Sequence, residues 1–233
     1  MRTLILGLLF GLSVNALAEQ PLRIAVASNF KPTLEALLAM WQERSHTPVT
    51  LSSGPSGALT QQILHGAPFD LFLSADESYP QTLAERGRAK PPVTYARGQL
   101  MATCRHWAAD TEAALARANT LALANIKTAP YGRAGAHWLS RHGQAFRARQ
   151  VQAGSVASAL QFVASGNADC ALVAASFKPL APELHWYPLG DAPVLIQAAA
   201  LVKNSPQARA FLEFLLAAPA QALIVQHGYL AAL

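Results

Sequence analysis

Residues 22–43 read LRIAVASNFKPTLEALLAMWQE. The first six are mostly apolar and suit a buried strand, whereas Leu34, Leu37, Leu38 and Trp41 recur at spacings of three and four and share one helical face from Thr33 to Glu43. Only the corner Ser28-Asn29 separates the two patterns. A strand that turns straight into an amphipathic helix opens a β-α-β unit, and the unit repeats. PVTLSSG (48–54) is a strand, SGALTQQILHG (56–66) a corner and a helix, and FDLFLSAD (69–76) a third strand. This alternation predicts an α/β protein with a parallel sheet covered by helices.

From about Tyr95 the chain changes register. RGQLMATC (97–104) reads as a strand and TEAALARANTLALANI (111–126) as a helix followed by a strand. APYGRAGAHWLSRHG (129–143) and VASALQFVASG (156–166) are helical, CALVAAS (170–176) is an apolar strand, and a Pro-rich irregular segment runs from Pro179 to Pro193. The strand VLIQAAALV (194–202) and one final helix, SPQARAFLEFLLAAPAQALIVQHG (205–228), complete the pattern. The expectation is two α/β lobes, the second inserted into the first: residues 19–96 with 196–233 as lobe 1, and 97–195 as lobe 2. A cleft between lobes is the usual place for a small ligand.

Ahead of this lies MRTLILGLLFGLSVNALAEQ, with one basic residue, an apolar run and the small-x-small ending Ala16-Leu17-Ala18. It reads as a signal peptide, residues 1–18, cleaved after Ala18. No later stretch reaches the roughly 18 apolar residues of a membrane helix, and no cysteine stands at the cleavage point for acylation. A free periplasmic protein is expected. The formal net charge of +5 falls to +4 once Arg2 leaves with the leader, and the basic residues are scattered without interleaved aromatics, which argues against a nucleic-acid partner. Cys104 and Cys170 form a pair too sparse for a metal site; export allows a disulfide between them, but two buried thiols fit the sequence equally well.

Three His-Gly pairs, His65-Gly66, His142-Gly143 and His227-Gly228, fall where helical patterns run out, as expected of a glycine at the helix C′ position. Four corners, Ser28-Asn29, Ser56-Gly57, Tyr131-Gly132 and Ser155-Val156, fall where helices begin. Helix N-termini carry unpaired N–H groups and partial positive charge, so several aimed at one point make an anion site. The hydroxyls of Ser28, Ser56 and Tyr131 and the amide of Asn29 add neutral donors, and no lysine or arginine occupies a corner. The plainer reading of each is a helix cap.

In these residues the chain resembles the periplasmic molybdate-binding proteins of ABC transporters. The shared blocks are VASNF (26–30), SSGPSGALTQQILHGAPFDLFLSADE (52–77), APYGRAGAHWL (129–139), ALQFVASGNADCALVAAS (159–176) and ARAFLEFLLAAPAQALIVQHGY (208–229). The resemblance implies a two-lobed, periplasmic-binding-protein-like fold of type II, each lobe a mostly parallel sheet flanked by helices. It also implies a monomer that takes molybdate, with tungstate, and delivers it to the membrane permease subunits of an ABC transporter. The oxyanion ligands it implies are Ser28, Asn29, Ser56, Tyr131 and the main-chain N–H of Val156. Molybdenum would be held through its oxygens, with no direct protein–metal ligand and no cofactor. One branch of the family carries a ligand tyrosine in the strand that here reads ALVAAS, where Ala174 stands. Tyr131 is then the hydroxyl donor, as in the branch bearing the Asn-Phe pair.

Other classes fare worse. SGPSGAL (53–59) fails the G-x-S-x-G elbow because Ala58 stands two beyond Ser56, although Asp191 and His227 follow in hydrolase order. Asp70 and Asp76 bracket a strand as a strand-end network and are no acid/base pair. On the same fold the ligand could instead be sulfate, phosphate or an organic acid. A carboxylate binder usually clamps with arginine, and Arg133 is the one near enough to serve.

Overall fold

The computed structural model describes residues 20–142 and 146–232. The leader and Gly143 of the second His-Gly pair lie outside these residues. Two five-stranded sheets form, one per lobe. The first has the order β2-β1-β3-β10-β4 (Val49–Gly54, Leu22–Ala27, Leu71–Leu73, Leu195–Leu201, Val93–Gly98). The second has the order β7-β6-β8-β5-β9 (Arg149–Ala153, Thr120–Ala124, Cys170–Ala174, Leu100–Cys104, His185–Pro188).

Position by position, the two sheets have the same plan. Three parallel strands are followed by one reversed strand, β10 in the first and β5 in the second, and then by an outer strand that returns to the common direction. The fold is thus the mostly parallel, two-lobed arrangement expected. The reversed strands are those by which the chain enters each lobe from the other, between Gly98 and Leu100 and between Pro188 and Leu195.

Helices cover both faces of each sheet. In the first lobe, α1 (Lys31–Gln42), α7 (Pro206–Leu216) and α8 (Ala218–Gln226) bury Leu34, Leu37, Trp41, Phe211 and Ile224 against β1 and β10. On the opposite face, α2 (Ser56–Leu64) and α3 (Ser78–Glu85) bury Leu59, Ile63 and Leu83 against Phe72. The second lobe holds α4 (Thr111–Ala116), α5 (Pro130–His142) and α6 (Val156–Ala164) around a core that includes Trp138, Val163 and Leu172. Gly66 and Gly228 adopt φ of +89° and +83° just past α2 and α8, the left-handed turn anticipated for their His-Gly pairs.

Several local features depart from the sequence reading. The final helix is two helices bent by 61° at Ala217, because the Pro219 ring lacks an N–H and would collide with the carbonyl one turn back. Helix α3 carries Pro80 and only a narrow apolar face, so its periodicity is faint. Strand β7, RQVQA, is a polar edge strand. Strand β9 interrupts the Pro-rich segment because an edge needs only one hydrogen-bonded side.

Cys104 and Cys170 face each other across the antiparallel β5–β8 ladder and are joined by a disulfide, which resolves the open alternative. Strand register brings the pair together, and the bond closes a sequence separation of 66 residues. Replacing both by alanine should lower stability by about 2–4 kcal/mol through the freed unfolded chain. Urea unfolding of the variant against the oxidised protein measures this, and adding reductant to the wild type should reproduce the shift.

Candidate functional site

In a parallel sheet every strand's carboxyl end feeds the N-terminus of the next helix, so these ends collect on one edge. Here two such edges face each other, and the five residues singled out in the sequence come together. Ser28 and Asn29 follow β1, Ser56 opens α2, Tyr131 is the second residue of α5, and Val156 opens α6. All five line one small cavity of about 10 Å³ between the lobes, whose remaining wall is alanine, glycine and proline. Among the described residues, no charged side chain lines it. The space is about that of one water molecule, too small for an extended ligand.

Each corner is held by bonds that leave a donor over. Ser28 N–H donates to Gly54 O (3.1 Å) and Phe30 N–H to Ala27 O (2.9 Å), which closes the first turn. The Phe30 ring is fully buried edge-on to Tyr95 and Tyr229, at centroid distances of 4.7 and 5.4 Å. Asn29 Nδ2 donates inward, to Gln197 Oε1 (3.0 Å) and the Tyr229 hydroxyl (3.1 Å). Its side-chain amide therefore braces the corner, which differs from the expectation that this amide would be a cage donor. The main-chain N–H groups of Asn29, Ser56 and Val156 meet no acceptor among the described residues.

Two hydroxyls are polarised by the protein. Ser56 Oγ, completely buried, accepts from Ala75 N–H (3.0 Å). The Tyr131 hydroxyl accepts from Gln197 Nε2 (3.3 Å). An oxygen that already accepts from a fixed N–H has its own hydrogen free to donate. Burial, with the neighbouring Tyr229, pushes the Tyr131 phenol well above its ordinary range, so it remains an O–H donor at neutral pH. The capping explanation holds only for Ser155, which accepts from Ser158 N–H (3.1 Å). Neither Ser28 nor Ser56 caps its helix.

The lobes are also tied beside the cavity. Gly57 N–H donates to Thr128 O (2.8 Å), and the Tyr79 hydroxyl to Lys127 O (3.1 Å). Arg133 pairs with Asp76 and donates to the Tyr79 hydroxyl (2.9 Å). The one arginine that could have clamped a carboxylate is thus committed to a link between lobes. Asp70 accepts from Arg23 N–H (2.8 Å) at the other end of β3, in keeping with a strand-end role. His227 ends α8 with Nδ1 3.2 Å from Thr33 Oγ1, and its partner is not Ser56.

Sequence reasoning missed Gln197, Tyr95, Tyr229 and the Asp76–Arg133 pair. Gln197 did leave a signal: it is the single polar residue of LIQAAAL, a strand buried everywhere but Ile196. Roomier depressions exist, among them one of about 880 Å³ along β9 beside Trp107. It is open to solvent, is lined by second-lobe residues and includes none of the four corners, so size does not choose the site.

Residues 22–230 match a family model described as bacterial extracellular solute-binding protein. The molybdate-binding protein ModA of Azotobacter vinelandii is 33% identical over 246 aligned positions, covering 97% of this chain and 96% of the relative. ModA of Rhodobacter capsulatus is 32% identical, with 96% and 93% covered. Among solved structures, the Azotobacter vinelandii periplasmic molybdate-binding protein superposes with a TM-score of 0.81 at 31% identity, covering 90% of this chain and 98% of that one.

A Cβ on Gly98 would run into the Tyr131 hydroxyl and the Gln197 amide. Gly98→Ala should therefore cost about 1–3 kcal/mol by overpacking, read as a lowered urea midpoint. An unchanged midpoint would show that these two side chains are not pressed against the strand.

Proposed function

The chain belongs to the bacterial extracellular solute-binding proteins, and we propose that within them it captures molybdate, and tungstate with it, for the permease of an ABC transporter. It is a binding protein and not an enzyme. The reading extends to a monomer exported to the periplasm by cleavage after Ala18. The lobe bounds read from the sequence, 19–96 with 196–233 and 97–195, lie within two residues of Gly98 and Leu195, where the first sheet ends, and the two lobes close over the anion by rotation about these crossings.

One observation carries the ligand assignment. The cavity is lined only by neutral groups, and both of its buried hydroxyls already accept from protein N–H groups. Molybdate is a fully deprotonated tetrahedral dianion at neutral pH, so it accepts hydrogen bonds and offers none. In the proposed cage Ser28, Ser56 and Tyr131 donate through hydroxyls, and Asn29 and Val156 through main-chain N–H. A protonated anion would set donor against donor. Neutral donors also spare the desolvation of a buried counter-ion and let the anion leave when the lobes part. Tungstate, of almost the same size, satisfies the same donors. Sulfate has the same charge and shape, so its exclusion falls to cavity size.

Calorimetric titration of the mature protein should give tight one-to-one binding of molybdate and tungstate and no heat with sulfate. Heat with sulfate alone would replace the ligand while keeping the cage. Ser56→Ala and Tyr131→Phe should each weaken molybdate roughly 10- to 100-fold, the worth of one hydrogen bond to a charged group. Arg133→Ala, which touches no cage donor, should weaken it only a few-fold because the pair is partly solvated. That loss should appear as faster dissociation in stopped flow.

A further inference from the structure

Gln197 lies in lobe 1 but is bonded into both lobes, and both ends of its amide are committed. Its Oε1 accepts from Asn29 Nδ2 (3.0 Å) and from the Tyr95 hydroxyl (3.0 Å), and Tyr95 also reaches Ser74 O (3.1 Å). With the carbonyl end turned toward Asn29 and Tyr95, the NH2 end faces Tyr131, whose hydroxyl oxygen is 3.3 Å away. The side chain is completely buried, so no solvent competes for either end.

A phenolic hydrogen prefers the plane of its ring and has two positions there, on opposite sides of the oxygen. Where an N–H points at one side, the hydrogen is driven to the other. We propose that Gln197 is a specificity-determining positioning residue: by donating to Tyr131 it forces that hydroxyl to present its hydrogen, and never a lone pair, to the bound anion. The consequence is rejection of tetrahedral dianions that carry a proton. This inference rests on the oxyanion reading of the cavity and adds a residue that does not line it. Ser56 is polarised in the same sense by the main-chain N–H of Ala75, which no side-chain replacement removes. Gln197 is therefore the replaceable half of the device.

Hydrogen phosphate, a tetrahedral dianion bearing one O–H, is the informative competitor at mildly alkaline pH. It has the charge of molybdate, so any general change in the site's potential cancels in the ratio of the two affinities, and a fixed size penalty cancels between variants. The ratio is measured by displacing bound molybdate with phosphate from the wild type, Gln197→Met and Gln197→Glu. In Gln197→Met the hydroxyl can turn and offer a lone pair. In Gln197→Glu the new carboxylate takes the Tyr131 hydrogen outright. The preference for molybdate should shrink roughly tenfold or more, most in Gln197→Glu. If Gln197→Glu fails to fold, the isosteric Gln197→Met carries the test.

In a Tyr131→Phe background, Gln197→Met should leave the ratio where Tyr131→Phe alone puts it, because its effect passes through that hydroxyl. A ratio unchanged in folded variants, with only absolute affinities lowered, would overturn the proposal and reduce Gln197 to a packing role. Wild-type protein that binds no molybdate would fail at the first titration, before any variant is compared, and would overturn the oxyanion reading together with this inference.

Discussion

Unpaired N–H groups in the first turns of helices are the constraint on which the rest of this structure depends. An α-helix leaves its first donors without internal acceptors, and a buried donor without a partner costs about 1–3 kcal/mol. Most proteins meet this with caps, as Ser155 does for α6. At α2 the preceding residue is Pro55, which supplies no capping side chain, and at α1 the preceding residue is Phe30, which supplies none either. Phe30 is buried to anchor the corner, and Ser56 spends its oxygen on Ala75. The deficit is gathered at the meeting of the lobes, where an anion in the proposed site would meet it.

The distribution of charge follows the same logic. Arg133 stands at the edge of the site and would be an obvious anchor for an anion, yet Asp76 and Tyr79 hold it. A cation inside the cavity would strengthen binding of any anion without distinguishing one from another. Hydroxyls with fixed polarity distinguish a deprotonated oxyanion from a protonated one. The cationic pair instead links the lobes, and on the proposed reading it bears on closure and leaves the choice of ligand to the neutral donors.

Much of this was legible in the sequence because two periods dominate it. The corner after LRIAVA, the helix carrying Leu34 and Trp41, and the repeated strand-corner-helix units all write their geometry locally. Convergence of Ser28, Asn29, Ser56, Tyr131 and Val156 on one cavity is not local, and it emerged from shared sequence blocks rather than from spacing. Features governed by distant partners stayed hidden. The Cys104–Cys170 bond depends on β5–β8 register, and the inward turn of the Asn29 amide depends on Gln197 and Tyr229, roughly two-thirds of the chain away or more. Strand β7 escaped because an exposed edge carries no apolar pattern, and the break at Ala217 because both halves of the last helix share one apolar rhythm.

The two chain crossings, after Gly98 and before Leu195, have a kinetic consequence. Two tethers side by side, paired at Gly98 and Leu195, on the proposed reading restrict sliding and favour one rotation. On the proposed reading, the donors of the first lobe are preassembled and can receive an anion by diffusion, whereas those of the second arrive together as a set. Arrival and departure are then governed by different events. The encounter rate reflects an exposed half-site, and residence time reflects how often the rotation reverses, so tight retention and release on demand need not oppose each other.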